Sequence, residues 1–233
     1  MRLQAFLARA GAAPSRRKAE ALIEAGRVLV DGGAASLGAS VRGDEEILLD
    51  GRPVFLPSVR SSFALNKPAG YLTTLKDEPD KNRPTVVDLM PPVPGLVPAG
   101  RLDAETTGLL ILTNDGPLAH RITHPSSEVE KEYLLTLKNP VPADALKDLA
   151  AGPILEDGPM SPPEISNLQK LPRTTTLHLT IHEGRNRIIR RACAAAGLEL
   201  LGLRRVRVGP ILLGDLAEGE HRPLTEEELG ALR

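Results

Sequence analysis

The stretch from Gly100 to Gly116 constrains the fold more than any other part of the chain. Leu109, Leu110, Ile111 and Leu112 form a continuous apolar run, too short for a helix, bounded by Gly108 on one side and by Asn114-Asp115-Gly116 on the other. Such a run reads as a core strand closed by a turn. Just before it, Asp103 sits on a glycine-flanked loop with Arg101 two residues away. A carboxylate anchored on a rigid strand beside a cation can stay ionised and be aimed at a ligand. Read by residue type alone, an aspartate in a glycine-flanked loop is more often a turn former than a nucleophile.

The 233 residues leave room for two compact domains or one large one. A single cysteine, Cys193, excludes a disulfide framework and a cysteine-rich zinc site, and fits a reducing cytosol. Arg2 and Arg9 stand in an N-terminus with no long apolar core, and no run approaches a membrane span, so a cytoplasmic protein with no membrane partner is expected. The net charge of -1 does not mark a nucleic-acid binder, and the preference for arginine, 21 of 29 cationic side chains, has a compositional explanation as well as a phosphate-binding one. Three Phe, two Tyr and no Trp leave few platforms for stacking successive bases. A general single-strand binder is therefore disfavoured.

Along the chain, Leu3, Phe6, Leu7 and Ala10 have helical spacing and Gly11 stops that helix. Ser15 caps a second, with Ala19, Leu22 and Ile23 as its apolar face and Gly26 at its end. Its first turn holds Arg16, Arg17 and Lys18, where the helix dipole favours anions. Phosphate binding would explain that placement, and a solvated charge cluster would explain it too. Val28 to Val30 and Ile47 to Leu49 read as short strands, Pro53 to Ser62 as a linker, and Phe63 to Tyr71 as a strand entering a Pro-Gly turn. Residues 76 to 100 carry six prolines, Pro79 among them, and admit one short helical turn at Val86 to Met90. Leu118 to Ile122 reads as a helix, Glu128 to Leu137 as a strand, 144 to 150 as a helix and 177 to 181 as a half-buried strand. Between Arg185 and Arg207 lie seven arginines. A helix beginning in this stretch places Arg187, Arg190 and Arg191 on one face, with no acid between 184 and 198 to pair with them, so RNA contact is the favoured reading. Closing strands at 204 to 213 and a helix capped by Thr225 and Glu228 complete the chain.

Gly100-Arg101-Leu102-Asp103, opening the seventeen-residue stretch that ends at Asp115-Gly116, resembles the signature of the RsuA-type ribosomal RNA pseudouridine synthases. Lys67-Pro68-Ala69-Gly70, Lys131-Glu132-Tyr133 and 183 to 191 are similar to that family's other motifs. Ile188, Ala192 and Cys193 depart from its usual residues. Residues 2 to 44 resemble the small RNA-binding module known as the S-four domain. The resemblance implies Asp103 as nucleophile, Tyr133 against the target base and Arg190 paired with Asp103, with Arg185 as the alternative partner. Lys67 is given no chemistry, its segment supporting the active-site loop. Neither cofactor nor metal is expected. The fold expected is α+β: an RNA-binding domain over 1 to 60, then a catalytic domain over 61 to 233 with a mixed, mostly antiparallel sheet flanked by helices. Arg16, Arg17, Lys18, Arg101, Arg185, Arg187 and Arg191 are the expected RNA contacts.

The segments Asn82 to Asp88 and His124 to Tyr133 look more like the large-subunit, RluB-like enzymes, which implies 23S ribosomal RNA, free or in an assembling subunit, acted on by a monomer. The alternatives are a 16S enzyme and a non-catalytic assembly factor. His120 with His124 and His178 with His182, each at spacing four, raise metal hydrolysis as a rival, but neither pair has the Glu of a His-Glu-x-x-His motif.

Overall fold

The computed structural model describes residues 1–76 and 81–232, so Pro79 lies outside the described residues. Two helices, α1 (Leu3–Arg9) and α2 (Arg16–Glu24), precede a small antiparallel sheet of β1 (Val28–Val30), β2 (Gly33–Ala34), β3 (Ile47–Leu49) and β4 (Arg52–Pro53), in the order β2-β1-β3-β4. Ser15 caps α2 by accepting from the Lys18 amide at 3.2 Å. Leu3, Phe6, Leu7, Ala19, Ile23, Val28 and Ile47 bury into a core of their own.

From Ser62 on, the strands join one nine-stranded sheet. In chain order the elements are β5 (Ser62–Lys67), β6 (Val97–Pro98), β7 (Thr107–Thr113), α3 (Gly116–Thr123), β8 (Lys131–Lys138) and α4 (Ala143–Ala150). A two-stranded hairpin of β9 (Ile154–Leu155) and β10 (Gly158–Pro159) interrupts them. There follow β11 (Glu164–Lys170), β12 (Thr174–Ile181), α5 (Ile188–Ala195), β13 (Leu200–Val208), β14 (Ile211–Leu212), β15 (His221–Pro223) and α6 (Glu226–Ala231). The sheet runs β11-β12-β8-β13-β7-β5-β15, with β14 on β13 and β6 on β7. Every pairing in it is antiparallel except β13 with β7. This is the α+β, mixed and mostly antiparallel architecture expected from the sequence.

The apolar run at 109 to 112 is continuous because β7 is covered on both faces. Leu110 and Leu112 enter a core with Leu65, Leu135, Leu177, Ile188 and Ile189. Leu109 and Ile111 enter a second core with Ala64, Leu118, Ile122, Val208 and Leu224. Successive side chains of a strand point to opposite faces, so a strand buried on both sides must be apolar at every position. Gly108, at φ +98°, is required where β7 meets β13: a Cβ there would stand 2.2 Å from the carbonyl oxygen of Arg205.

Several boundaries differ from the sequence reading. The strand read as starting at Glu128 starts at Lys131, because Pro125–Ser127 is a 3-10 turn and Glu128 follows it at φ 46°. Asn114 and Asp115, read as part of a closing turn, lead from β7 directly into α3, with Asp115 at its N-cap and Gly116 its first residue. Arg187 is not on a helix: it is the N-cap of α5 at φ 49°. Arg187, Arg190 and Arg191 therefore do not share a helical face.

Candidate active site

Asp103 is held from below by the segment that follows β5. The ammonium of Lys67, fully buried, donates to the carbonyls of Pro68 at 2.7 Å and Ala104 at 3.2 Å. The Gly70 amide donates to the same Ala104 oxygen at 2.7 Å. Thr73 hydroxyl donates to the Leu102 carbonyl at 2.7 Å and accepts from the Leu102 amide at 3.2 Å. The Thr106 amide closes the turn onto the Asp103 carbonyl at 3.0 Å. The loop thus enters β7 with its backbone groups satisfied on both sides of Asp103, which fixes the direction of the carboxylate. Burial pushes the Lys67 ammonium down to about 8, against the opposing pull of the Asp103 and Glu218 carboxylates.

Two guanidiniums face that carboxylate. Oδ2 of Asp103 lies 3.6 Å from Nη1 of Arg187 and 3.7 Å from Nε of Arg190. Glu105 approaches the same two nitrogens at 3.2 and 3.8 Å. Arg190 is steadied by the Thr106 hydroxyl, which accepts from its Nη2 at 3.1 Å, while its Nε is buried without a hydrogen-bond acceptor. Arg101, the cation adjacent in sequence, makes no ion pair with Asp103; it is exposed at the mouth of the cavity. The cations at Asp103 come instead from the start of α5, more than eighty residues along the chain.

Asp103, Arg187 and Arg190 line a cavity of about 510 Å³ together with Tyr133, Lys131 and Arg205. Tyr133 is 8 % exposed, on the inward face of β8. The size suits a small organic group and one face of a nucleotide. His124 and His182 stand at the rim. His120 and His124 stack on each other at 4.6 Å, and the described residues contain no group of three His, Cys, Asp or Glu arranged to hold a metal.

Arg185 and Arg191, expected as RNA contacts, are each engaged in ion pairs within the chain. Arg191 holds Asp157 with both Nη atoms, at 2.7 and 2.9 Å, and Arg185 Nη1 reaches the same carboxylate at 2.9 Å. Arg185 also donates to the carbonyls of Gly158 and Pro159 at 3.2 and 2.9 Å, and through Nε to Glu183 at 2.7 Å. The acid missing from the local sequence, Asp157, is supplied by the β9–β10 hairpin. Arg16, Arg17 and Lys18 are exposed on α2 and make no ion pair among the described residues.

Sequence reasoning missed Asp157, although Asp157-Gly158 between two apolar segments is a hairpin signal. It also gave Lys131 and Arg205 no part in the cavity. A lysine opening an otherwise half-buried strand was the available signal for the first.

Residues 62–195 match the family model described as RNA pseudouridylate synthase, and residues 1–47 match the S4 domain. An uncharacterised RNA pseudouridine synthase of Mycobacterium leprae is 45% identical over 238 residues, spanning 100% of this chain and 92% of that one. The ribosomal large subunit pseudouridine synthase B of Bacillus subtilis is 40% identical over 242 residues, spanning 100% and 95%. A crystal structure of a pseudouridylate synthase superposes with a TM-score of 0.70 at 34% identity, covering 100% of both chains. The chain belongs to the RNA pseudouridine synthases, isomerases that convert uridine in RNA to pseudouridine, and carries an S4 domain ahead of its synthase domain.

Proposed function

We propose that this enzyme isomerises one uridine of ribosomal RNA, in the large-subunit 23S molecule, with Asp103 as the nucleophile. The observation that carries the reading is the Asp103 carboxylate set 3.6 and 3.7 Å from two guanidiniums, in a cavity that Tyr133 also lines. The choice of 23S RNA is supported by the large-subunit assignment of the Bacillus subtilis relative and by its similarity along the whole chain.

The residue types suit the chemistry. Asp103 attacks or stabilises C1′ of the ribose as the C1′–N1 bond opens, and its two arginine neighbours orient it. Tyr133 offers a flat ring against the base. The target nucleotide must leave its stack to reach the cavity, at a cost of a few kcal/mol that is least in a loop or bulge. Arg101 and Arg187 at the cavity and Arg16, Arg17 and Lys18 on α2 supply phosphate contacts that offset it. In this reading residues 1 to 60 hold the RNA and 61 to 233 carry out the reaction, as a monomer in the cytoplasm, with no cofactor.

The test is release of tritium from carbon 5 of uridine in unmodified 23S and 16S rRNA, comparing the wild type with Asp103→Ala. Release from 23S by the wild type alone is the expected result. Release by both forms removes Asp103 as nucleophile, and release from 16S alone moves the target to the small subunit.

A further inference from the structure

The cavity holds a second pair of cations that Asp103 does not account for. Lys131 and Tyr133 fall on the same face of β8, two residues apart, and the sheet register sets Arg205 of β13 opposite Tyr133 and Val208 opposite Lys131. Lys131 and Arg205 both line the cavity. Nζ of Lys131 donates to the Val129 carbonyl at 2.7 Å, and Nε of Arg205, 3 % exposed, donates to the Leu109 carbonyl at 2.7 Å. Neither makes an ion pair among the described residues. Two residues along the same strand, Arg207 makes two, with Glu132 at 2.7 Å and Glu130 at 2.9 Å. The sheet thus pairs its arginine outside the cavity and leaves two cations inside it uncompensated. Burying cations without counter-charge is unfavourable, and the arrangement is explained if what enters the cavity brings negative charge.

We propose that Lys131, backed by Arg205, is a further catalytic residue, which gives a proton to the uracil as it detaches and takes one back from carbon 5. This rests on the reading of the cavity as the uridine site. When C1′–N1 opens, its electron pair stays on N1, and negative charge develops over the ring and its carbonyl oxygens. The Lys131 ammonium donates its proton to that base and becomes an amine. After the base has turned, a ring π pair at C5 forms the C5–C1′ bond and the Asp103 carboxylate departs from C1′. The amine removes the hydrogen of C5 as a proton, and the C–H pair returns to the ring. One proton has moved from C5 to the base, no electrons are gained or lost, and Lys131 is again an ammonium.

The electrostatics suit a group that must do both. Burial, followed by the nearby Arg205 charge, brings Lys131 down to about 8, where its donor and acceptor forms interconvert near neutral pH. The titratable and charged groups sharing its cavity are Tyr133 on β8, Arg205 on β13, His124 after α3, His182, Glu183, Arg185 and Arg187 between β12 and α5, Arg190 on α5, and Arg101 and Asp103 on the loop before β7.

Single-turnover tritium release on 23S rRNA from about pH 6 to about pH 10, with RNA affinity measured alongside, separates a proton carrier from a fixed charge. For the wild type, the rate should fall as pH rises through about 8. Lys131→Met should lose about 10²-fold or more. Lys131→Arg keeps the stem and the charge but cannot give up its proton in this range. It should bind RNA as the wild type does, turn over about 10²-fold more slowly, and lack the fall near pH 8. Should Lys131→Met fail to fold, the arginine variant carries the test. A Lys131→Arg enzyme with the wild-type rate, or one that keeps the fall near pH 8, overturns the proposal and leaves the uridine site intact. A wild type that releases no tritium from any rRNA overturns both.

Discussion

Arg185 and Arg191 grip Asp157 at 2.9 and 2.7 Å, whereas Arg187 and Arg190, interleaved with them in sequence, stop 3.6 and 3.7 Å from Asp103. One segment of chain therefore contains two kinds of ion pair. The Asp157 pairs have hydrogen-bonding geometry in the free protein, and the carboxyl is held below its usual range by the Arg191 guanidinium. The Asp103 pairs are too long to be hydrogen bonds, and Nε of Arg190 is buried with no acceptor at all. Buried donors are normally satisfied, and exceptions concentrate where a ligand completes the geometry. The latch is finished before substrate arrives; the site is not. Since Asp157 stitches the β9–β10 hairpin to residues 185 to 191, the tight pairs set the backbone from which the loose ones reach out.

The largest effect that would break this comparison belongs to Arg190. Arg190→Gln should keep RNA affinity and lower kcat by about 10²-fold, as expected for one preorganised charged donor in a water-poor site. A kcat within a few-fold of wild type would make the long contact to Asp103 incidental. Next is Arg187, more exposed and shared between Asp103 and Glu105. Arg187→Ala should raise KM by about tenfold and reduce the salt dependence of RNA binding by roughly one phosphate contact. A change in kcat alone would place it with Arg190 instead.

Asp157→Asn should have the smallest effect, less than about tenfold on kcat through loosened positioning of the α5 N-terminus. Its stability signature has a fixed sign. The folded-state pKa of Asp157 is lowered, so its contribution is present above the unfolded carboxyl value and is lost as pH falls through the folded one. The difference in Tm between wild type and Asp157→Asn should be small at neutral pH and should vanish in acid. A difference that grows as pH falls would contradict the latch.

Much of this was legible in the chain. The run at 109 to 112 could only be a core strand, and Ser15 and Thr225 announced their helices by capping chemistry that operates within three residues. The loop carrying Asp103 was marked by its glycines and by the strand that follows. What could not be read was which cation would face it. Arg101 is the neighbour in sequence, yet the sharp turn into β7 leaves it at the cavity mouth, and Arg187 and Arg190 arrive across the β13–β7 parallel pairing. The periodicity argument at 185 to 191 failed for a related reason: Arg187 takes a left-handed backbone at the N-cap, so the helix starts one residue later than the spacing suggested.

The sequence by itself determined the elements, their caps and the two-sided burial of β7, because each depends on interactions within a few residues or on how many faces a strand must hide. Only the tertiary structure decided the charge pairing. Asp157 with Arg185 and Arg191, Asp103 with Arg187 and Arg190, and Lys131 beside Arg205 join residues from 28 to 87 positions apart, where sequence spacing carries no geometric information. Coulomb interactions follow distance in space, and that distance is set by the sheet order that brings β8, β13 and β7 side by side.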